Sequence, residues 1–412
     1  MCGAPGADGR AIDPRPRSLR RRSSLAAAVL LAVVALAGCF PVANPYRNPV
    51  YRGSFADPFV LRVERDFFAY GTNVVDGGRR VNVPVLTSPD LVSWDRAPVD
   101  ALPDAGLGAW VDRSRVPGRI WAPAVLARTA PAGTPYYVLY YTAPTTRDGH
   151  TRQCIGTATS ASPLGPFDDD HQKPLVCQYH HGGSIDPSVA PVPGTTGPNR
   201  PSFLLWKSDE IALQNGAPAS LWARPLGPDG RSFTGPAHVL LTARPGDFPW
   251  ERAFGGGQIE GPSVAYEERH DRFVLFYSAG PYDSPSYAMG YALCANYGGL
   301  PAGCARPPSA ARGPWVRSAG GAYGPGGQEA FRGRGHWWFA YHAYSSTSSR
   351  AAASVDGGPR AYDPATVRAP RPDRGAAGLD AEARNHRIDK LCLAGGPWTN
   401  APTAGQAIGT AR

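Results

Sequence analysis

Three acidic residues stand in similar short motifs that are far apart in the sequence. Asp57 and Asp186 each begin an x-Pro-x-Val motif, and Glu260 directly precedes another copy, Gly261-Pro262-Ser263-Val264. Hydrolysis of a glycosidic bond needs one carboxylic acid to protonate the leaving oxygen and one carboxylate to activate water. A third carboxylate nearby can raise the pKa of the acid through repulsion between like charges. The three residues therefore predict acid–base hydrolysis, provided that the fold brings them together.

The elements that would position these acids are copies of one repeated unit. Each x-Pro-x-Val motif lies upstream of an aromatic, strand-like segment, and such segments recur every 64 to 70 residues. A regular period of this length indicates a repeat architecture. The five segments are Phe67–Thr72, Tyr137–Thr142, Phe203–Ser208, Phe273–Ser278 and Trp337–His342.

The composition and the repeat together predict an all-β fold. The 412 residues include 49 glycines and 44 prolines, and only 18% are charged, which suits a protein with many turns. Each unit reads as four short strands, and such units arranged around an axis are the blades of a propeller. We therefore predict a five-bladed β-propeller, in which the first strand of every blade begins at a central pocket. A propeller with six or seven shorter blades, or a sandwich, does not accommodate the period.

The composition also divides the chain into four segments. The boundaries follow from an N-terminal apolar run, a short stretch rich in proline and asparagine, the repeats, and a final stretch without pattern. The predicted segments are a signal peptide with a lipobox (1–38), a tether (39–50), the propeller catalytic domain (51–397) and a C-terminal tail (398–412).

The N-terminal segment resembles a bacterial export signal. Arg20-Arg21-Arg22 precede an apolar run from Leu25 to Ala37, which is too short for a comfortable membrane span. The run ends in Leu36-Ala37-Gly38-Cys39, which resembles a lipobox, the motif in which the cysteine is lipidated. We therefore expect an exported lipoprotein that is anchored to the extracytoplasmic face of the membrane through Cys39. The alternative is an ordinary signal peptide and a secreted protein.

Export would place the remaining cysteines in an oxidising compartment. Cys294 and Cys304 flank a Gly/Pro turn within one unit, which favours a disulfide, and Cys154 and Cys177 could pair within another unit. Cys392 is then left over. The spacing C-x-x-C does not occur, so we do not expect a zinc site.

The motifs in their order resemble those of glycoside hydrolase family 43, the five-bladed arabinanases, arabinofuranosidases and xylosidases. The resemblance extends over about residues 50–345. The motifs that carry it are Ala56-Asp57-Pro58-Phe59-Val60, Phe68-Ala69-Tyr70-Gly71-Thr72, Thr87-Ser88-Pro89-Asp90-Leu91-Val92-Ser93-Trp94, Ile120-Trp121-Ala122-Pro123, Ser184-Ile185-Asp186-Pro187-Ser188 and Ile259-Glu260-Gly261-Pro262-Ser263.

The resemblance implies a role for each acid. Asp57 would be the general base, Glu260 the general acid, and Asp186 the residue that tunes and orients the acid. The family inverts the anomeric centre, so base and acid should stand about 6.5–9.5 Å apart with a water between them. We expect cleavage of arabinose- or xylose-containing glycans, above all of α-L-arabinofuranosyl linkages by an arabinanase or arabinofuranosidase. The alternatives are a β-xylosidase and, from another class, a non-catalytic propeller lipoprotein that binds glycan.

Further residues are candidates for contacts in the pocket. His342 stands where sister units carry threonine or serine, and the resemblance places it near the axis, where it would help to hold a metal ion or a water; a histidine packed in the core is the alternative. Phe59 and Trp121 are candidate sugar-stacking platforms or, equally, core residues. The glycines of Gly324–Gln328 would allow the backbone to approach the pocket closely, or simply form a turn. Ala124 replaces an acid that is common in relatives, which puts substrate contacts at this place in doubt.

The expected partners follow from the same features. The substrate would be a polysaccharide or an oligosaccharide, and the membrane would be contacted through the lipid anchor alone. The chemistry requires no cofactor, although a structural calcium near the axis is a further expectation. The net charge of +9 does not indicate nucleic-acid binding, because residues 1–38 contribute +4 and the other arginines are scattered. We expect a monomer.

Overall fold

A computed structural model describes residues 48–116, 118–319 and 321–344, together with the backbone of 384–391. Contacts divide the chain into Met1–Ala43 and Asn44–Arg412, and every described residue belongs to the second unit. The predicted signal peptide, Cys39, most of the tether, Cys392 and the C-terminal tail therefore lie outside the described residues.

The described elements are short strands and shorter 3-10 helices. The strands of the first half are β1 (Phe59–Val63), β2 (Asp66–Tyr70), β3 (Val74–Asp76), β4 (Arg79–Val81), β5 (Val85–Ser88), β6 (Asp95–Arg96), β7 (Trp121–Thr129), β8 (Pro135–Arg147), β9 (His150–Ser160), β10 (Ser184–Pro191) and β11 (Ser202–Ser208). Those of the second half are β12 (Ser220–Pro225), β13 (His238–Thr242), β14 (Arg252–Ala253), β15 (Gly256–Gly257), β16 (Ile259–Glu267), β17 (Arg272–Ala279), β18 (Ala288–Tyr297), β19 (Leu300–Ala305), β20 (Tyr323–Gly333), β21 (His336–Tyr344) and β22 (Arg384–Leu391). The helices are Asp104–Gly106, Tyr179–His181, Glu210–Leu213, Pro249–Glu251, Glu268–His270 and Pro308–Arg312.

Within the described ranges, five antiparallel sheets of three or four strands follow one another along the chain. Their orders are β1-β2-β5-β6, β7-β8-β9, β10-β11-β12-β13, β16-β17-β18-β19 and β20-β21-β22, and we number the sheets one to five in this order. The five aromatic segments of the repeat supply the second strand of each sheet, namely β2, β8, β11, β17 and β21. The period in the sequence is therefore the period of the sheets.

The first strands of the five sheets also contact one another in order. β1 contacts β7, β7 contacts β10, β10 contacts β16, β16 contacts β20, and β20 contacts β1. This is the arrangement of a β-propeller, in which sheets are placed radially around an axis. The prediction of an all-β fold with a propeller arrangement is confirmed.

The second strands are apolar because both of their faces are covered. All seven residues of β11 are buried, as are seven of the eight residues of β17. Aromatic rings fill the space within and between sheets: Trp206 stacks on Trp222 within the third sheet, and Phe276 meets Phe339 of the fifth sheet at 5.0 Å. Aromatic pairs of this kind contribute about 0.5–1.5 kcal/mol beyond the burial of their area.

In the second, third and fourth sheets, the x-Pro-x-Val motif forms a β-bulge at the start of the first strand. Register shifts occur between Trp121 and Ala124, between Ile185 and Ser188, and between Glu260 and Ser263. The residue before the proline has a positive φ, which is uncommon for any residue but glycine and typical of functional sites. These residues and their φ angles are Asp57 (51°), Ala122 (42°), Asp186 (54°), Gly261 (56°) and Gly324 (55°).

Two disulfides tie strands to their neighbours. One joins Cys154 in β9 to Cys177 in the segment before β10, and the other joins Cys294 in β18 to Cys304 in β19. The described helices are all too short to cross a bilayer.

Candidate active site

Asp57 is held from two sides at the entrance to β1. Its Oδ2 accepts a hydrogen bond from the hydroxyl of Thr72 at 2.5 Å, and its backbone N–H donates to Nδ1 of His342 at 3.0 Å. The Thr72 oxygen in turn accepts from the backbone N–H of Ala122 at 2.9 Å. The side chain of Asp57 stays 24% exposed, so its carboxylate is fixed in place and still accessible from solvent.

The backbone of β20 passes directly beside Asp57. A Cβ atom added to Gly327 would lie 2.5 Å from Oδ1 of Asp57 and 2.5 Å from Cε1 of His342, and the φ of Gly327 is +56°. Both the space and the dihedral angle require glycine here. Of the two interpretations of the glycine-rich segment, the geometry supports a close approach of the backbone, here to Asp57 and His342.

Asp186 connects the third sheet to the fourth. Its Oδ2 accepts a hydrogen bond at 2.9 Å from the backbone N–H of Gly261, the residue that follows Glu260. Burial and the negative charge of Glu260 raise the pKa of Asp186 to about 7, while the charge of Lys207 opposes the rise. Asp186 therefore orients the backbone that carries Glu260, and it exchanges its proton near neutral pH.

Three described side chains donate hydrogen bonds to Glu260, which is only 8% exposed. The hydroxyl of Tyr287 donates to Oε1 at 2.7 Å, and Nζ of Lys207 donates to Oε2 at 3.1 Å. The side-chain amide of Gln258 also donates to Oε2. Both oxygens of Glu260 are therefore fixed by their neighbours.

The three acids interact with one another and with a shared neighbour. The charges of Glu260 and Asp57 both act on Asp186, raising its pKa. They also act on Tyr287, whose pKa is raised well above its ordinary value by burial and then by these two carboxylates. The starts of the first strands in the first, third and fourth sheets thus bring the acids of three distant motifs into one electrostatic cluster.

The structure corrects the expectation for Phe59. This ring is 7% exposed and belongs to the core that contains Tyr70 and Val125, so its face is not free to stack on a sugar. Ala124 is fully buried in the same core, so the alanine fills a packed position there. Trp121 differs from both, since it is partly exposed and its indole N–H donates to the carbonyl of Gly118 at 3.0 Å.

His342 is fully buried, and the geometry makes it a positioning residue for Asp57. Its Nδ1 accepts the Asp57 N–H, so that nitrogen is not available to a metal ion, and its ring stacks on Tyr287 at 6.0 Å. Calcium prefers oxygen ligands. Through Nδ1, His342 therefore serves the backbone of Asp57 rather than a metal ion.

Among the described residues, a cluster of three side chains that could ligate a metal ion consists of Asp169, Asp170 and His171. The atoms that could bind a metal ion already have partners in the protein. Asp169 accepts a hydrogen bond from the indole N–H of Trp110 at 2.9 Å, and the guanidinium of Arg231 contacts both Asp170 and His171. The cluster carries its own cation from this chain, and it does not include His342.

Sequence reasoning missed three residues that contact Glu260. Gln258 and Tyr287 lie outside the repeated segments and gave no signal. Lys207 did give one, because it occupies the fifth position of its segment, where three sister units carry tyrosine. The tyrosines are Tyr141, Tyr277 and Tyr341.

The sequence is similar to those of known glycoside hydrolases. The family profile "Glycosyl hydrolases family 43" matches residues 46–360. The arabinoxylan arabinofuranohydrolase of Bacillus subtilis is 25% identical over 329 residues, which cover 76% of this chain and 57% of that protein. The beta-D-galactofuranosidase xynD of Aspergillus niger is 30% identical over 249 residues, covering 59% of this chain and 62% of that protein.

The solved structures support the fold. A thermostable family-43 glycoside hydrolase superposes with a TM-score of 0.58 at 22% identity, covering 84% of this chain and 93% of that one. The chain spans less than two thirds of the two relatives above. Because the family profile covers most of the chain, the protein belongs to glycoside hydrolase family 43, whose members hydrolyse glycosidic bonds and need no cofactor for that chemistry.

Proposed function

We propose that this protein is an inverting glycosidase that cleaves arabinose- or xylose-containing glycans, with α-L-arabinofuranosyl linkages as its main substrates. The observation that carries the proposal is the meeting of Asp57, Asp186 and Glu260 at the starts of three sheets, in three different environments. Different environments give neighbouring carboxyl groups different pKa values, so one of them can act as the acid and another as the base.

The proposed mechanism assigns one task to each acid. Asp57, fixed by Thr72 and still accessible, accepts a proton from the water that attacks the anomeric carbon. Glu260 donates a proton to the leaving oxygen on the other side of the sugar. Asp186 holds the backbone beside Glu260 and, with its pKa of about 7, keeps a proton within the cluster at neutral pH. Water that attacks opposite the leaving group inverts the anomeric centre.

The names of the two relatives favour a five-membered sugar ring. One is named for arabinofuranosyl and the other for galactofuranosyl cleavage, so both names describe furanosidases. This supports an arabinofuranosidase or arabinanase over the alternative, a β-xylosidase. A non-catalytic glycan-binding propeller is the alternative from another class, and the complete set of acids speaks against it.

We also propose the architecture and location in which this chemistry occurs. The return contact from β20 to β1 supports a ring closed by five blades. The pattern of residues 1–38 supports export, with Cys39 as a lipid anchor on the extracytoplasmic face, and we propose that the enzyme acts there as a monomer.

The proposal is tested with the wild type and two variants on arabinan, arabinoxylan, xylo-oligosaccharides and aryl furanosides, including an aryl β-D-galactofuranoside. Asp57→Asn should lower turnover by about 10²–10⁴-fold, the usual contribution of a general base. Glu260→Gln should lose a similar factor on natural glycans but less on aryl glycosides, because a good leaving group needs less protonation. Proton NMR of the first product should show inversion.

Asp66→Asn is the matched control, since Asp66 is exposed on β2 and has no role in the cluster. It should retain wild-type rates. Wild-type turnover by Asp57→Asn on every cleaved substrate would overturn the mechanism. Binding of glycans by the wild type without any cleavage would instead support the non-catalytic propeller.

A further inference from the structure

Lys207 is a buried cation near the end of β11. Its side chain is 1% exposed. Lysine is rarely buried unless it is paired with another group. Sister units place buried tyrosines at this position, and two of them, Tyr141 and Tyr277, direct their hydroxyls to the carboxylates of Asp169 and Glu251. In the third sheet the tyrosine is replaced by a full positive charge, which is costly to bury unless carboxylates pair with it.

The partners of Lys207 belong to the candidate site. Its Nζ lies 3.1 Å from Oε2 of Glu260 and 3.6 Å from Oδ1 of Asp209. Burial alone would lower the pKa of Lys207, but the charges of Glu260, Asp209 and Asp186 outweigh burial and hold it above its ordinary value. Lys207 therefore remains charged throughout the pH range in which the acids exchange protons.

The charge of Lys207 acts on the acids in the opposite direction to their mutual repulsion. Glu260 and Asp57 raise the pKa of Asp186, whereas Lys207 lowers it. The hydroxyl of Tyr287 and the amide of Gln258 also donate to Glu260, and neither carries a charge near neutral pH. The carboxylates of Asp186 and Asp209 interact with Glu260 as like charges. Among the described residues, Lys207 is the cation that forms an ion pair with Glu260.

We propose that Lys207 positions the Glu260 carboxylate and, through its charge, sets the upper limit of the pH range in which the acidic cluster holds its catalytic proton. The role rests on the proposed function, in which Glu260 is the general acid. Lys207 acts through Glu260 and Asp186, because its own burial keeps it away from the substrate.

The test replaces the charge and follows the pH dependence of kcat/KM. In Lys207→Met the alkaline limb should move to higher pH by about one to three units, the usual effect of a neighbouring opposite charge on a carboxyl group. The maximal kcat should fall, because Glu260 loses one of its donors. Lys207→Arg keeps the charge, so its limb should stay at the wild-type pH. Lys207→Gln is a second neutral variant, in case methionine disturbs folding.

The matched control is Lys173→Met, which removes the same charge from an exposed position. The alkaline limb of the pH profile of Lys173→Met should not move, because solvent and salt screen exposed charges. A shift as large as that of Lys207→Met would assign the effect to overall charge and overturn the proposal. Folded Met and Gln variants with an unmoved limb would overturn it as well.

A second readout does not depend on activity. In protein with ¹³C-labelled aspartate carboxyl groups, the Asp186 signal, identified by its loss in Asp186→Asn, should titrate near pH 7 in the wild type. Its midpoint should be higher in the neutral Lys207 variants, and an unchanged midpoint would contradict the role of Lys207. If the wild type cleaves no glycoside at all, the proposed function fails, and this titration alone decides whether Lys207 controls the protons of the cluster.

Discussion

Glu329 is a buried acid that the proposed mechanism does not use. It lies on β20, is 8% exposed, and its Oε2 accepts a hydrogen bond at 3.0 Å from the hydroxyl of Ser188 on β10. Burial raises the pKa of Glu329 well above its ordinary value. A carboxyl group in this situation is neutral in the folded protein at a pH at which it is ionised in the unfolded chain.

This difference makes stability depend on pH. Because the pKa is higher in the folded state, the contribution of Glu329 to the free energy of unfolding is fully present below its unfolded pKa. This contribution is lost as the pH rises towards the folded pKa. We predict that Glu329→Gln, which has no proton to lose, becomes more stable than the wild type by about 1.4 kcal/mol for each pH unit in that window. At pH 4 the two proteins should be equally stable. Urea unfolding from pH 4 to 8 measures this, and a difference independent of pH would contradict it.

Residue type alone did not decide which aromatic residues are buried in the core. Phe59 and Trp121 both stand at an x-Pro-x-Val motif, yet Phe59 packs into the core while Trp121 is partly exposed. The strand register shifts after Trp121 but not after Phe59. A bulge changes which side of the strand the following residues face. The alternation of the sequence therefore could not assign them.

At the scale of the element, an unusual backbone conformation at the start of the first strand positions two of the three acids. Asp57 and Asp186 take left-handed backbone angles of 51° and 54° directly before a proline. The local arrangement is unfavourable by itself and persists because the sheet around it is packed. The motif was visible in the sequence, whereas its left-handed backbone was not, since a pre-proline residue normally extends.

The β18–β19 hairpin permits a prediction about stability without activity. Its disulfide closes a short loop, with a sequence separation of 10 between Cys294 and Cys304. The double variant Cys294→Ser, Cys304→Ser should lose about 3 kcal/mol of unfolding free energy, the value expected for a loop of this size. The contacts of Glu260 do not involve these cysteines, so turnover at low temperature should be retained.

Denaturant unfolding of the oxidised wild type and the double variant checks this prediction. The variant Cys304→Ala alone controls for the loss of the side chain, and it should behave like the double variant. Equal stability of the oxidised wild type and the variants would show that the bridge contributes nothing.

At the scale of the whole molecule, the proposed location depends on Cys39, which lies outside the described residues. Lipoproteins with at least two acyl chains are held stably on a membrane, whereas one chain binds only marginally. We predict that Cys39→Ala moves the protein from the membrane to the soluble fraction or blocks its processing. Fractionation of expressing bacteria with detection of the protein measures this. Unchanged membrane retention with normal processing would speak against lipidation.

The sequence by itself determined the repeat and the all-β propeller arrangement, and it singled out the three acids as candidates. These features depend on periodicity and on short motifs, which are local along the chain. The tertiary structure decided what surrounds the acids. His342 contacts Asp57, which is 285 residues away in the sequence, and Lys207 contacts Glu260, which is 53 residues away. Neither contact follows from a local pattern, because each exists only where strands of different sheets meet around the axis. The same packing buries Phe59 and gives Asp186 its raised pKa.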